Sequence, residues 1–386
     1  MNLKRRMLIA CWIAFLSPAV RGGESVLYSI TDQSVAYPAT NRPVKASIAE
    51  YKTEIFAVNP ETGSKRLAFS DANAGFLLLP GGALKGGIVA AGASIFAVAA
   101  DRQAWANEHH EPDAVYQLST DGSGKARRIF DLEGEAGARR NFSHLFVNPS
   151  GSKIGHLNYL SGKTYLLIHD TATGKLLRKI ALRYGSEERT GWRFGSVEEI
   201  GWMPDGKRIF FAIGMSGDTD DAFWTAPSSP IGTYVMNEDA DTAERLAPEA
   251  ALHPKGPGMQ ADANAGAALI GVLPNGQYLF SDHENASAAG HNQTRLYALD
   301  LAKKTQKIFP LQAEGDPGSF HLSLSGKMLA STFTQKKQAN LIAPSSVSVW
   351  TLELESDKPL KLLSFPAHDE TPDGSWMNLI GWLEDQ

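Results

Sequence analysis

The sequence predicts an all-β fold assembled from repeated four-stranded antiparallel units. Three observations carry that prediction. A strand–tight turn–strand hairpin recurs along the 386-residue chain, a second hairpin follows each copy, and the final strand repeats a tripeptide from the middle of the sequence.

The clearest copy of the first hairpin is Ile200-Gly201-Trp202-Met203-Pro204-Asp205-Gly206-Lys207-Arg208-Ile209-Phe210-Phe211-Ala212. It reads as an apolar strand, a Pro-Asp-Gly-Lys turn and a second apolar strand. Proline presets φ to about −65°, aspartate caps the turn, and glycine accepts the positive φ that closes it. The same grammar recurs at 146–154 around Asn148-Pro149-Ser150-Gly151 and at 272–280 around Pro274-Asn275-Gly276. A fourth copy at 322–330, around Ser325-Gly326-Lys327, lacks the proline.

The second hairpin is an apolar run, a polar turn and another apolar run. Strands at 165–168 and 176–180 flank Asp170-Thr171-Ala172-Thr173-Gly174-Lys175, and the run at 295–299 leads into Asp300-Leu301-Ala302-Lys303-Lys304. The run at 347–354 leads likewise into Glu355-Ser356-Asp357-Lys358. Two hairpins make a four-stranded antiparallel unit, and such units recurring at about 50–60 residues are the signature of a β-propeller blade. The strand–Pro-Asp-Gly-Lys–strand repeat resembles that of TolB-type propellers and of the propeller domains of prolyl-oligopeptidase-type enzymes. The resemblance spans most of the chain and implies a fold; propellers host many unrelated functions.

Taken in order, the chain opens with Lys4-Arg5-Arg6, an apolar run at 7–16 and Ser17-Pro18-Ala19-Val20-Arg21-Gly22. That pattern predicts a secretory signal peptide over residues 1–22, leaving 23–386 as a single propeller domain. The apolar run is too short to span a bilayer. Cys11 is the only cysteine and lies inside that run. Leu8-Ile9-Ala10-Cys11 superficially matches a lipoprotein signal, but apolar sequence continues past it, so Cys11 reads as part of the run. The mature chain then has no disulfide, metal thiolate or cysteine nucleophile.

Blade 1 is predicted from strands at 25–30, 34–37, 53–58 and 66–69, and blade 2 from 87–90, 94–99, 114–118 and 126–130. Blades 3 to 6 begin near Ser143, Ser196, Ala267 and Ser319. At the C-terminus Ile380-Gly381-Trp382 repeats Ile200-Gly201-Trp202 and then stops where the hairpin would continue. This strand is expected to complete blade 1 beside the N-terminal strands, closing a six-bladed ring. The alternative is seven blades, with the terminal strands building an extra one.

In an up-and-down blade the first and third turns share one face of the disc, and the second turns and blade connections share the other. The first and third turns here are tight. Long second turns are expected at 39–51, 101–113, 214–231, 282–294 and 335–346, and long connections at 71–86, 133–141, 184–195, 248–266 and 366–376. Long loops in a compact domain are usually functional, so the face they share is the candidate binding surface. Trp105, Trp192, Phe194, Phe223, Trp224 and Trp376 lie in these loops and suit stacking on a sugar, peptide or protein partner; packing the loops onto the disc is the alternative role.

Chemistry is sparser. His109 and His110 in one loop, with His283 and His291 in another, would offer imidazoles for a divalent metal such as Zn or Ca at the channel mouth, the basis of a metal-assisted hydrolase or lyase reading. The layout resembles that of propeller lactonases only in general terms. No His-Glu-x-x-His motif occurs, and adjacent residues of extended chain point apart, so solvated loops without any cofactor are the first reading. Asp218, Asp220 and Asp221 lack the glycine and distant glutamate of a calcium loop. No Gly-x-Ser-x-Gly elbow occurs. Ser161-Gly162-Lys163-Thr164 has Leu157 where a phosphate loop needs glycine. A net charge of −5 and a pI near 6.1 argue against nucleic acid and anionic membrane as partners. The expectation is a secreted or periplasmic propeller that binds a protein or a glycan.

Overall fold

A computed structural model of the chain describes residues 23–33, 51–72, 74–78, 87–102, 113–132, 142–160, 163–182, 197–213, 232–246, 267–284, 293–309, 311, 316–335, 346–366 and 376–385. Every element among them is a β-strand. They form six sheets, one per blade. Blade 1 runs outward as β25 (Trp376–Glu384), β1 (Glu24–Gln33), β2 (Tyr51–Val58) and β3 (Lys65–Ser70). In blade 2, β4 (Phe76–Leu78) and β5 (Ile88–Ala91) share the innermost place, followed by β6 (Ser94–Asp101), β7 (Ala114–Leu118) and β8 (Ala126–Asp131). Blade 3 holds β9 (Phe142–Val147), β10 (Lys153–Leu160), β11 (Lys163–Asp170) and β12 (Leu176–Ala181). Blade 4 holds β13 (Val197–Trp202), β14 (Arg208–Ile213), β15 (Gly232–Asn237) and β16 (Glu244–Arg245). Blade 5 holds β17 (Ala267–Val272), β18 (Tyr278–Glu284), β19 (Gln293–Asp300) and β20 (Thr305–Phe309). Blade 6 holds β21 (Asp316–Leu322), β22 (Met328–Gln335), β23 (Ser346–Glu353) and β24 (Lys358–Pro366).

The innermost strands touch in a closed cycle, β25 to β5, β9, β13, β17, β21 and back to β25. The ring therefore has six blades, and the C-terminal strand closes it by pairing with β1 from Glu24↔Glu384 to Thr31↔Trp376. The closure is latched where β1 begins and β25 ends. Asp385 N donates to Gly23 O, the Asp385 carboxylate accepts from Ser25 Oγ at 2.6 Å, and Glu24 caps the blade 6 turn through Ser325 N and Oγ.

Alternation of side chains along each strand places successive residues in opposite seams. Leu27 packs into the seam between blades 1 and 2, while Val26 and Tyr28 pack between blades 6 and 1. Ile154 and Leu157 divide the same way across blade 3. Each of the six seams holds its own apolar cluster. Strands buried on both sides read as near-continuous apolar runs, as in residues 95–100 of β6, all buried.

The tight-turn face is braced from blade to blade. Arg66 donates to Thr120 O, Arg127 to Thr171 O and Ala172 O, Arg178 to Ala240 O and Asp241, and Lys307 to Leu354 O. These four cations occupy one register position on the outermost strands, opposite Ala57, Gln117, Ile168 and Ala298. Each clasps the third turn of the next blade and also places charge on an exposed sheet edge, which discourages pairing with another chain. Glu244 and Leu360 hold the same position in blades 4 and 6.

Several boundaries differ from expectation. β4 lies inside the stretch expected to be a loop at 71–86, because residues 76–78 pair with 99–101 while β5 pairs with 94–97. β18 and β19 continue their ladder to Glu284↔Gln293, which shortens the second turn of blade 5. His283 is thus a strand residue, opposite Thr294, and Trp376 begins β25 opposite Thr31; neither lies in a loop. Blade 3, for which no long second turn is expected, pairs β10 with β11 as far as Leu160↔Lys163. The strand expected at 34–37 and the signal segment 1–22 lie outside the described residues.

Candidate functional site

The strand directions put the second turns and blade connections on one face, as the spacing of the turns implies. Beneath that face, at the seam of blades 1 and 2, sits a polar anchor. The Asp71 carboxylate accepts hydrogen bonds from Thr53 N at 2.7 Å and Leu78 N at 3.0 Å. Arg102 stands 3.8 Å from that carboxylate and donates to Asp71 O, Ala74 O and Phe76 O. Burial pushes the Asp71 carboxyl above its ordinary range, against the opposing pull of the two N–H groups and the guanidinium. The anchor fixes the chain where it enters blade 2.

The channel wall is built from the free edges of the innermost strands. All six are irregular at mid-length. β25 bulges at Ile380, β9 at His144 and Leu145, β13 at Glu198, β17 at Ile270 and β21 at Gly318 and Ser319. In blade 2 the irregularity is the break between β4 and β5, which pair with β6 on either side of Val98. Bulges recur at barrel rims and beside sites, where they re-aim side chains. His144 adopts φ 53°, whereas the other non-glycine residues with positive φ among the described residues, Lys304 and Asp357, lie in third turns. A side chain held there costs about 1–3 kcal/mol. His321 of β21 lies beside Gly381 of β25 and its carbonyl accepts from Trp382 Nε1 at 2.8 Å. Burial pushes its imidazole down to about 4, so it is neutral at physiological pH. Neither histidine was legible as special, since a lone histidine in a strand signals no bulge.

Of the residues singled out from sequence, Trp105, Trp192, Phe194, Phe223, Trp224, His109, His110 and His291 lie outside the described residues. Trp376 and His283 stand at the long-loop ends of β25 and β18. Among the described residues no group of three or more His, Cys, Asp or Glu side chains is placed to hold a metal ion.

Sequence reasoning did not anticipate a groove of about 450 Å³ on the opposite, tight-turn side of blade 2. Several of its polar groups bond to one another. Gln117 Nε2 donates to Ser94 Oγ, Arg127 Nη2 donates to Gln117 Oε1 at 2.6 Å, and Ser119 Oγ donates to Asp121. The bonds from Ser119 and Ser123 hold the Asp121 carboxyl well below the usual range. These bonds brace the groove across blade 2.

No protein-family profile matches the chain, and no curated protein sequence matches it. Solved structures do resemble it. TolB from Acinetobacter baumannii aligns at 13% identity and TM-score 0.47, over 92% of this chain and 66% of that one. A chain of a nidogen/laminin complex aligns at 12% identity and TM-score 0.46, over 92% and 97%. An oligogalacturonate lyase in complex with manganese aligns at 8% identity and TM-score 0.43, over 90% and 81%. These neighbours are TolB and other β-propellers, and what this chain shares with them is the fold.

Proposed function

We propose that this chain is a secreted or periplasmic propeller that binds a protein or a glycan through its long-loop face, without a cofactor. One observation carries the reading: the two faces of the disc are built differently. On the tight-turn face, described turns are short, hydrogen-bonded within themselves and clasped from blade to blade. The other face receives the blade connections, and rigid scaffolds place recognition on the loops they carry. Trp192, Trp224 and Trp376 are the proposed contact residues.

Site-specific photo-crosslinking in the source cell tests this. A photoreactive residue at 192, 224 or 376 should capture a partner, while the same group at Lys175 or Lys304 on the tight-turn face should capture none. Screening the purified chain against a glycan array covers the carbohydrate arm. Capture confined to the tight-turn positions would overturn the reading. So would near-stoichiometric Zn, Mn or Ca retained through dialysis and lost on His109→Ala or His283→Ala, which would put a metal-assisted hydrolase in its place.

A further inference from the structure

His156 and His169 are buried side by side in the seam between blades 2 and 3. Phe130 of β8 lies flat on His169 of β11, with 3.8 Å between ring centroids and 7° between planes. His156 of β10 stacks 5.2 Å from Phe142, 5.8 Å from Phe130 and 5.5 Å from His169. A single aromatic stack thus joins β8 of one blade to β9, β10 and β11 of the next. Because a carbonyl only accepts, the contact of His169 Nδ1 with Gly174 O at 3.2 Å places a proton on that nitrogen and leaves Nε2 bare in the neutral ring. His156 Nδ1 is sealed from solvent with no hydrogen-bond partner among the described residues.

Charged groups on the surrounding strands are engaged elsewhere. On β8, Arg127 holds the turn of blade 3 and Arg128 pairs with Asp131. On β10, Lys153 pairs with Glu238 of blade 4. On β11, Asp170 accepts from Thr173 in its own turn, and on β12 Arg178 pairs with Asp241 while Lys179 lies over Tyr165. His144 is the further titratable group, on β9. Burial, and then repulsion from His169, pushes the His156 imidazole down to about 3. The ring faces of Phe130 and Phe142 would attract one imidazolium. They do not neutralise two such cations 5.5 Å apart.

We propose that the seam between blades 2 and 3 is an acid-responsive joint, in which protonation of the His156–His169 pair separates the aromatic stack and releases β10 and β11 from β8. The sign follows from linkage. The open seam takes up a proton near the ordinary imidazole value of about 6.5, which the closed seam refuses. Closure is therefore fully stable above that pH and weakens as the pH falls towards the depressed value. The opening equilibrium should grow about tenfold per pH unit for each histidine engaged.

Native-state hydrogen exchange on the full chain, corrected for intrinsic rates, tests this between pH 7.5 and 4.5. Amides of 126–131 and 153–170 should show an opening equilibrium larger at the lower pH by about 100-fold for His156 alone and by more where His169 also takes up a proton, while those of β18 and β19 change far less. His156→Phe, which keeps the stack but cannot protonate, should flatten the dependence. Equal loosening of all six blades, or an unchanged rise in His156→Phe, would overturn the proposal. Should His156→Phe fail to fold, imidazole nitrogen spectra of the wild-type chain decide. His156 should stay neutral until the 153–170 amides exchange; titration near 6.5 with those amides still protected would overturn the joint.

Discussion

Gly174 of blade 3 packs against the main chain of Ile129 in blade 2 so closely that a β-carbon on it would sit 2.0 Å from the Ile129 carbonyl oxygen. Its φ of 74° also lies where side chains are rarely held. Two blades therefore approach one another at this turn too closely to admit a side chain. Gly276, at φ 83°, has nothing within 4 Å of the same imagined carbon. Gly276→Ala should cost about 1 kcal/mol from the left-handed backbone alone. Gly174→Ala should cost about 3 kcal/mol or more, because main chain of a neighbouring blade must also shift. Urea unfolding of the two variants separates strain from collision, and equal losses would contradict the close approach.

The Asp71–Arg102 anchor predicts an asymmetric response. Asp71→Ala removes the acceptor for Thr53 N and Leu78 N and leaves a mostly buried guanidinium without its counter-charge. The expected loss is about 3–5 kcal/mol. Asp71→Asn retains an acceptor and should lose about half as much. Denaturant midpoints would show the order, and a larger loss in the asparagine variant would refute it.

Clasps on the tight-turn face can be removed and grafted. Arg127→Met should cost about 0.5–1.5 kcal/mol, the net worth of hydrogen bonds that remain partly open to water. At the equivalent positions Glu244→Arg and Leu360→Arg should each add about 0.5 kcal/mol. Thermal midpoints rising in both grafts would support a shared register position, and falling midpoints would argue that those seams cannot accept a cation.

Ring closure should depend on the last described residue. Asp385→Ala deletes the acceptor of Ser25 Oγ and Asn59 Nδ2 and is expected to cost about 1–2 kcal/mol. Exchange at β1 and β25 amides should rise first, ahead of any change in blades 3 and 4.

Much of this architecture is written in local chemistry. Pro204-Asp205-Gly206 and Asp170 with Gly174 specify turns whose geometry depends on those residues alone, so hairpin positions follow from them. The Ile-Gly-Trp echo placed the closing strand through its last two residues: Gly381 and Trp382 pair with Leu27 and Val26 as Gly201 and Trp202 pair with Phe210 and Ile209, whereas Ile380 falls at the bulge. β4 escaped notice for a physical reason: Phe76, Leu77 and Leu78 are too few to show a period, and their partners 99–101 are fixed by tertiary pairing. The anchor and the histidine stack were equally silent. Asp71 and Arg102, or Phe130 and His169, are far apart in the chain, and only closure of the seams brings them together. Trp376 and His283 were assigned to loops because strand pairing extended beyond the apolar runs that marked the strands.

The antiparallel pairing of β1 with β25 has a mechanical consequence. Gly23 and Asp385 leave the same edge of one sheet, joined by the Asp385 N–Gly23 O hydrogen bond. A pull applied to the two ends would load that ladder as a zipper, meeting one pair at a time from Glu24↔Glu384 towards Thr31↔Trp376. Such a seam yields at low force in tension between its ends. Compressive or lateral load on the disc would instead be shared by all six interlocked seams. Tethers attached at residues 23 and 385 would thus part the ring at blade 1 while blades 3 to 5 stay folded.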